Sequence, residues 1–222
     1  IKDTLIYGGG TNTQTAIYTT SLKSDNNIFE NITINGQFQT NAYIIYASDI
    51  KKLRFNASSV NYIATYYAEK IIDITAKLNL VLFSNGKCIN SDVYQIFLFK
   101  MNYVKISNCD VSVLCLDNVN NLKINNCDIT TLTTNNCQKI KFFSNTITNN
   151  FAINGNNWKV ISNEIGGTLI ANDDYNTIAH NTVTGATTLA AGSENNIITN
   201  NHFTGGFTNN SGNTTNEINN NI

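Results

Sequence analysis

Residues 122–129, Leu-Lys-Ile-Asn-Asn-Cys-Asp-Ile, constrain the fold of this chain more than any other feature, because the pattern returns at fixed intervals. Residues 104–111 (VKISNCDV) precede it by 18 positions, and residues 140–147 (IKFFSNTI), 158–165 (WKVISNEI) and 176–183 (NTIAHNTV) follow at further steps of 18. Residues 196–203 (NIITNNHF) and 216–222 (NEINNNI) continue at steps of 20. Within each copy the apolar period is two: Leu122 and Ile124 point one way and Lys123 the other, as in a half-buried strand. Aligned copies form columns such as Ile106, Ile124, Phe142, Val160, Ile178, Ile198 and Ile218, or Val111, Ile129, Ile147, Ile165, Val183 and Phe203. Asn, Thr, Ile and Val are poor helix formers, so a helical solenoid of this period is excluded. Coils of 18 to 20 residues carrying short strands and bends match a parallel β-helix.

The same geometry accounts for the bias of the composition, which holds 41 Asn and no Pro. One Asn or Cys recurs at the bend of every coil: Cys109 and Cys127 lead into Asn145, Asn163, Asn181, Asn201 and Asn221. Asn tolerates the left-handed backbone of a sharp bend. Stacked amides can also bond each other and the backbone groups that the bend leaves unpaired. The ladder is therefore read as structural. Equivalent positions on neighbouring strands lie about 4.8 Å apart, longer than the roughly 3.8 Å between Cβ atoms of a disulfide, so Cys109 and Cys127 are expected as buried free thiols. Five widely spaced cysteines also exclude both a complete internal disulfide framework and a CxxC zinc site.

With 13% charged residues, a net charge of −1 and a single arginine, Arg54, the chain has little electrostatic footprint for a phosphate backbone. Nucleic acid is not expected as a partner. No apolar run approaches the roughly 18 residues of a membrane helix, no secretory signal is visible, and membrane insertion is not expected. The chain starts at Ile1 and stops inside a repeat at Ile222, which reads as a piece of something longer.

Two segments are expected: residues 1–23, a strand and a Gly8-Gly9-Gly10 turn leading into the helix, and residues 24–222, the β-helix itself. Within the latter, coils are irregular over 24–103 and regular over 104–222. The glycines lack the spacing and following Lys-Ser/Thr of a phosphate loop. Residues 27–34, 53–60 and 72–79 look like early copies of the repeat, while residues 80–103 fit its register poorly and suggest an inserted loop or a wider coil.

The repeat N-x-I-x-x-N-x-[IVF], as in NTIAHNTV and NIITNNHF, resembles the right-handed parallel β-helix of the pectate-lyase-like superfamily. The opening, GGGTNTQTAIYTTSLKSDNNIFENITING, is similar to the start of such a helix in phage tailspikes and related enzymes. This resemblance implies an all-β, right-handed, single-stranded parallel β-helix of about nine or ten coils. It also implies a homotrimer or a part of a larger chain, located outside the cell or on a virion surface. The superfamily includes lyases, hydrolases, epimerases, adhesins and viral spikes, so it leaves the function open.

Four constellations bear on chemistry. The outward column beside the ladder reads Asp110, Asp128, Thr146, Glu164, Thr182, His202. Asp110 and Asp128 on adjacent coils would stand near the roughly 5–5.5 Å of a retaining glycosidase pair, and Asp128 with Glu164 near an inverting separation. The alternative is a solvated face or a loose calcium site, for which no motif is present; no cofactor is expected. Arg54 with Asp73, one coil apart, has the residue types of a pectate lyase base and calcium ligand, with a surface ion pair as the simpler reading. Asp173-Asp174 with His180 is similar to the paired aspartates of polygalacturonases, yet that family's other motifs are absent, and Asn172-Asp173-Asp174 reads as a bend. Finally, Tyr43, Tyr46, Tyr62, Tyr66 and Tyr67 could offer aromatic platforms for sugar rings or simply pack. Trp158 is expected in the core.

Recognition of a host surface polysaccharide by a spike domain is the leading expectation. The alternatives are a polysaccharide hydrolase or lyase acting through Asp110, Asp128 and Glu164, and a purely structural spacer or adhesin segment.

Overall fold

In the computed structural model, residues 87–99 and 101–222 are described, with side chains from 101 onward and at part of 88–99. Before them the described residues are the strands Lys2–Gly9, Ile17–Thr19, Ile28–Gln37, Ile45–Ala47, Lys52–Asn56, Tyr62–Thr65 and Ile71–Leu82. The architecture is a parallel β-solenoid of about seven turns, and the described residues form strands, turns and bends without helix. The nine or ten coils expected from the sequence include the earlier, irregular ones.

Register explains why the repeat is strict. Lys123 pairs with Lys105 and Lys141, Ile124 with Ile106 and Phe142. The amides of Lys123, Lys141 and Lys159 donate to the carbonyls of Val104, Leu122 and Ile140 at 2.8–2.9 Å. A one-residue slip would turn every apolar side chain outward. A typical regular coil has three short strands, as in Lys159–Ile161, Glu164–Ile165 and Leu169–Ala171. The third strands form their own parallel sheet, Phe151–Ile153, Leu169–Ala171, Thr187–Leu189 and Phe207–Asn209. At the tight corner between second and third strands Gly185 lies so close to the coil below that a Cβ there would stand 2.6 Å from the Gly167 backbone.

Inside, the expected columns are buried, from Ile106 through Ile198 and from Val111 through Phe203. Trp158 is fully buried, stacked on Phe142 with centroids 5.9 Å apart and planes 8° apart. Its indole nitrogen donates to the Cys137 carbonyl at 2.9 Å, satisfying the one polar atom that burial would strand.

The amide ladder is present and fully bonded. The Oδ1 of Asn163 accepts from both the backbone N–H and the Nδ2 of Asn145, at 2.9 and 3.0 Å. Its own Nδ2 donates to Asn181 Oδ1 and to the Phe142 carbonyl. Asn181 and Asn201 repeat the arrangement, Asn221 ends it with its Nδ2 on the Ile198 carbonyl, and Cys127 joins it through its backbone N–H to Asn145. The expected left-handed backbone falls one residue earlier. Asn108, Asn126, Ser144, Ser162, His180, Asn200 and Asn220 have φ between 51° and 58°, while the ladder residues do not. The bend and the ladder are thus carried by neighbours: one residue turns the chain, and the next sends its amide inward to bond what the turn exposes.

A second ladder lies one strand away. Trp158, Asn176 and Asn196 each donate their backbone N–H to the side-chain oxygen one coil on, that of Asn176, Asn196 and Asn216, at 2.8–2.9 Å. The column that begins as Val104, Leu122, Ile140 and Trp158 changes from apolar to amide at Asn176.

Three expectations for the early coils are corrected. Residues 87–99 are in register with residues 105–117 over the whole strand, Lys87 opposite Lys105 and Phe99 opposite Asp117. They hide from the repeat because Ser91, not Asn or Cys, stands opposite Cys109. Gly8 and Gly9 lie within the strand Lys2–Gly9, paired with Gly36 and Gln37, and do not form a turn; Gly10 is outside the described residues. Arg54 pairs with Ile72 and the register shifts just beyond it, so Asp73 is not its in-register neighbour.

Replacing Asn163 by Ala should cost roughly 2–4 kcal/mol, since the Asn145 N–H and the Phe142 carbonyl lose their partner. Ser162→Gly, at φ 58°, should stay within about 1 kcal/mol of the parent and lean towards stabilising, while Ser162→Val should cost about 1–2 kcal/mol. Urea unfolding midpoints of the three variants check this ordering.

Candidate functional site

The outward column is assembled as its spacing requires. Asp128 pairs with Asp110 on one side and Thr146 on the other, and the series continues through Glu164, Thr182 and His202. Alternation forces these residues out: Cys127 and Ile129, on either side of Asp128, are buried, and Asp128 and Asp110 are exposed. Adjacent parallel strands lie about 4.8 Å apart, which puts the two aspartates in the range where a carboxylate pair can share one sugar.

Asp110 and Asp128 line a shallow depression of about 280 Å³ with Ser112, Thr130, Thr148 and the buried Val111 and Ile129. Its rim is carboxylate and hydroxyl. Glu164 does not line it: the next coil contributes Thr148, and the depression ends before the coil of Glu164. The acid column also extends upstream, since Asp92 pairs with Asp110. This third aspartate escapes sequence reading because residues 80–103 look out of register. Among the described residues no group of three or more His, Cys, Asp or Glu is arranged to hold a metal ion.

Asp173, Asp174 and His180 belong to bends. The Asp174 carboxylate accepts from the Glu194 N–H at 2.7 Å, its own N–H donates to Asn156 Oδ1, and the Asp173 carbonyl accepts from Asn176 Nδ2. His180 is exposed at a left-handed corner, with φ 57°. Of the five tyrosines, Tyr43, Tyr66 and Tyr67 lie outside the described residues. Tyr46 is in Ile45–Ala47 opposite Ala64, and Tyr62 in Tyr62–Thr65 opposite Asn79; their side chains are outside the described set. The structure instead exposes Tyr103 (68%) and Tyr175 (58%), both left-handed residues of the second bend column. Their signal in the sequence is positional, each standing just before an apolar or amide column.

None of the five cysteines is in a disulfide, as expected for Cys109 and Cys127. The Cys109 thiol beside it, and then burial, push the Cys127 thiol well above the usual range; burial likewise raises Cys137.

No family model, curated protein or solved structure significantly matches the chain. Among the described residues no helix is long and apolar enough to cross a membrane.

A thiol whose pKa is raised carries almost no thiolate at neutral pH, and the thiolate is the nucleophile. Iodoacetamide at pH 7.5 should therefore label half-exposed Cys115 first and leave Cys127 and Cys137 unmodified until the protein is unfolded, as peptide mass spectrometry would show.

Proposed function

We propose that this chain is a polysaccharide-recognition domain, the β-helical part of a tailspike-like or other surface spike, which holds an extended glycan against its side. The observation that carries the reading is the depression between Asp110 and Asp128, rimmed by the Ser112, Thr130 and Thr148 hydroxyls. Carboxylates accept two hydrogen bonds each from vicinal sugar hydroxyls, and hydroxyls both donate and accept. A rigid parallel scaffold fixes their spacing without further ordering cost on binding. The extracellular or virion location and the trimer follow from the resemblance to tailspikes and belong to the same proposal.

A second reading is favoured by the register of the pair. Two carboxylates on adjacent rungs are close to the separation at which one serves as nucleophile and the other as acid in a retaining glycosidase. The domain would then depolymerise the glycan it binds.

A glycan array probed with purified protein should give saturable binding to a polysaccharide, lost or weakened at least about tenfold in Asp110→Asn/Asp128→Asn, two hydrogen-bonding carboxylates being worth at least about 1.4 kcal/mol. Binding unchanged by the double substitution would overturn the assignment of the site. Release of reducing ends from the bound glycan, abolished by Asp128→Asn alone, selects the hydrolase; binding without release selects recognition.

A further inference from the structure

One surface row is independent of the acid column and stronger in charge. Lys87, Lys105, Lys123, Lys141 and Lys159 occupy the same position on five successive coils, each directly paired with the next. With rungs about 4.8 Å apart, the row is about 19 Å long and runs along the solenoid axis. Lys123, Lys141 and Lys159 are exposed and Lys105 half-exposed. Among the described residues none of these four has an ion-pair partner; the one contact made is that of Lys123 Nζ over the Phe143 ring, 5.8 Å from its centroid. Lys139, exposed in the adjoining outward column, adds a further ammonium beside Lys141.

Like charges directly opposite each other on neighbouring strands are destabilising. Stability therefore does not explain the row. Nor does protection of a sheet edge, the usual reason for strand lysines, because these strands are paired on both sides. The neighbouring acid column is mixed by comparison, with threonines between its acids. The row stops after Lys159, where Thr177, Ile197 and Glu217 take the position. Among the described residues it is a linear array of lysines that ends on one side at Thr177.

We propose that this row binds a linear acidic polysaccharide laid along the solenoid axis, its carboxylate or sulfate groups on the ammonium groups. Taking a glycan as the occupant rests on the functional reading above. Three observations favour it over a nucleic acid. The step between cations, about 4.8 Å, is comparable with one pyranose ring and its glycosidic oxygen, so a polymer charged on every sugar offers its acids at a similar spacing. The flanking positions hold Asn121, Asn157 and Asn125, whose amides suit sugar hydroxyls, and Phe143 offers one apolar face. Single-strand binders instead interleave their cations with a series of aromatic platforms for bases, whereas among the described residues two aromatics flank this row, Phe143 and the exposed Tyr103 before Lys105.

The test measures binding of an alginate hexamer, which carries a carboxylate on every sugar, with an uncharged mannan hexamer and a thymidine hexanucleotide as comparisons, at 50 and 200 mM salt. Alginate should bind, more weakly at the higher salt. Lys123→Gln/Lys141→Gln should weaken it at least about tenfold and lower the slope of log affinity against log salt by about two. Lys123→Arg/Lys141→Arg should retain binding, and circular dichroism should show the Gln variant folded. Alginate affinity that is absent, or unchanged by the Gln substitutions, overturns the inference; if neutral glycans still bind the wild type, the polysaccharide reading survives that failure. An oligonucleotide bound at least as tightly as alginate, and released by the same substitutions, overturns the glycan as occupant.

Discussion

A chain that turns a sharp corner in every coil leaves backbone N–H groups pointing inward at the corner, where no strand carbonyl can receive them and an unpaired donor costs about 1–3 kcal/mol. Here those donors are taken by side-chain amides. The N–H of Cys127, Asn145, Asn163, Asn181 and Asn201 each ends on the Oδ1 of the Asn one coil on. Asn145, Asn163, Asn181 and Asn201 each spend their Nδ2 on the next amide and on a carbonyl of the preceding coil. Because an Asn satisfies its neighbour only when stacked on it, the ladder also fixes the register. The second ladder does the same at another corner over the last three coils, where Asn176 replaces the apolar residues of the earlier rungs.

Fixed register has a functional consequence, because it turns sequence positions into straight rows on the outside of the molecule. The core columns and the surface rows are the two faces of one alternation. Ile124 buried beside Lys123 exposed, and Cys127 buried beside Asp128 exposed, give a lysine row and an acid column separated by one bend. Neither needs a loop or a moving part to be assembled. A long polymer with its own regular repeat is the ligand chemistry that such a surface matches, since each added coil adds an equivalent contact. On the proposed function, the carboxylates of Asp110 and Asp128 and the ammonium groups of Lys105 to Lys159 would present opposite charge to different stretches or faces of a glycan.

Much of the fold was legible because its determinants repeat. Seven aligned copies expose the core columns, the first ladder and the outward acids, and burial of Trp158 follows from its place in the Leu122 column. What was missed lies where one column changes chemistry. The second ladder was hidden because Val104, Leu122, Ile140 and Trp158 give way to Asn176. Asp92 was hidden because Ser91 breaks the Asn/Cys signature of its coil. The left-handed role was given to the ladder Asn, although Ser144, Ser162 and His180 show that the preceding residue carries it. The lysine row is periodic and was still overlooked, since each lysine read singly is only the polar alternate of a half-buried strand. Of the candidate site, the acid register was readable, whereas the exclusion of Glu164 from the depression depends on surface shape that a column cannot show.

Residue-resolved amide hydrogen exchange on the native protein tests the ladder most directly. The N–H groups of Asn145, Asn163 and Asn181 have no backbone acceptor, yet they should exchange as slowly as those of the core strand residues Phe142 and Val160, and substitution of Asn181 by Ala should release Asn163 before the rest of its coil. Exchange of these amides in the wild type at the rate of an unstructured bend would contradict the account, because the corners would then be held by something other than the stacked side chains.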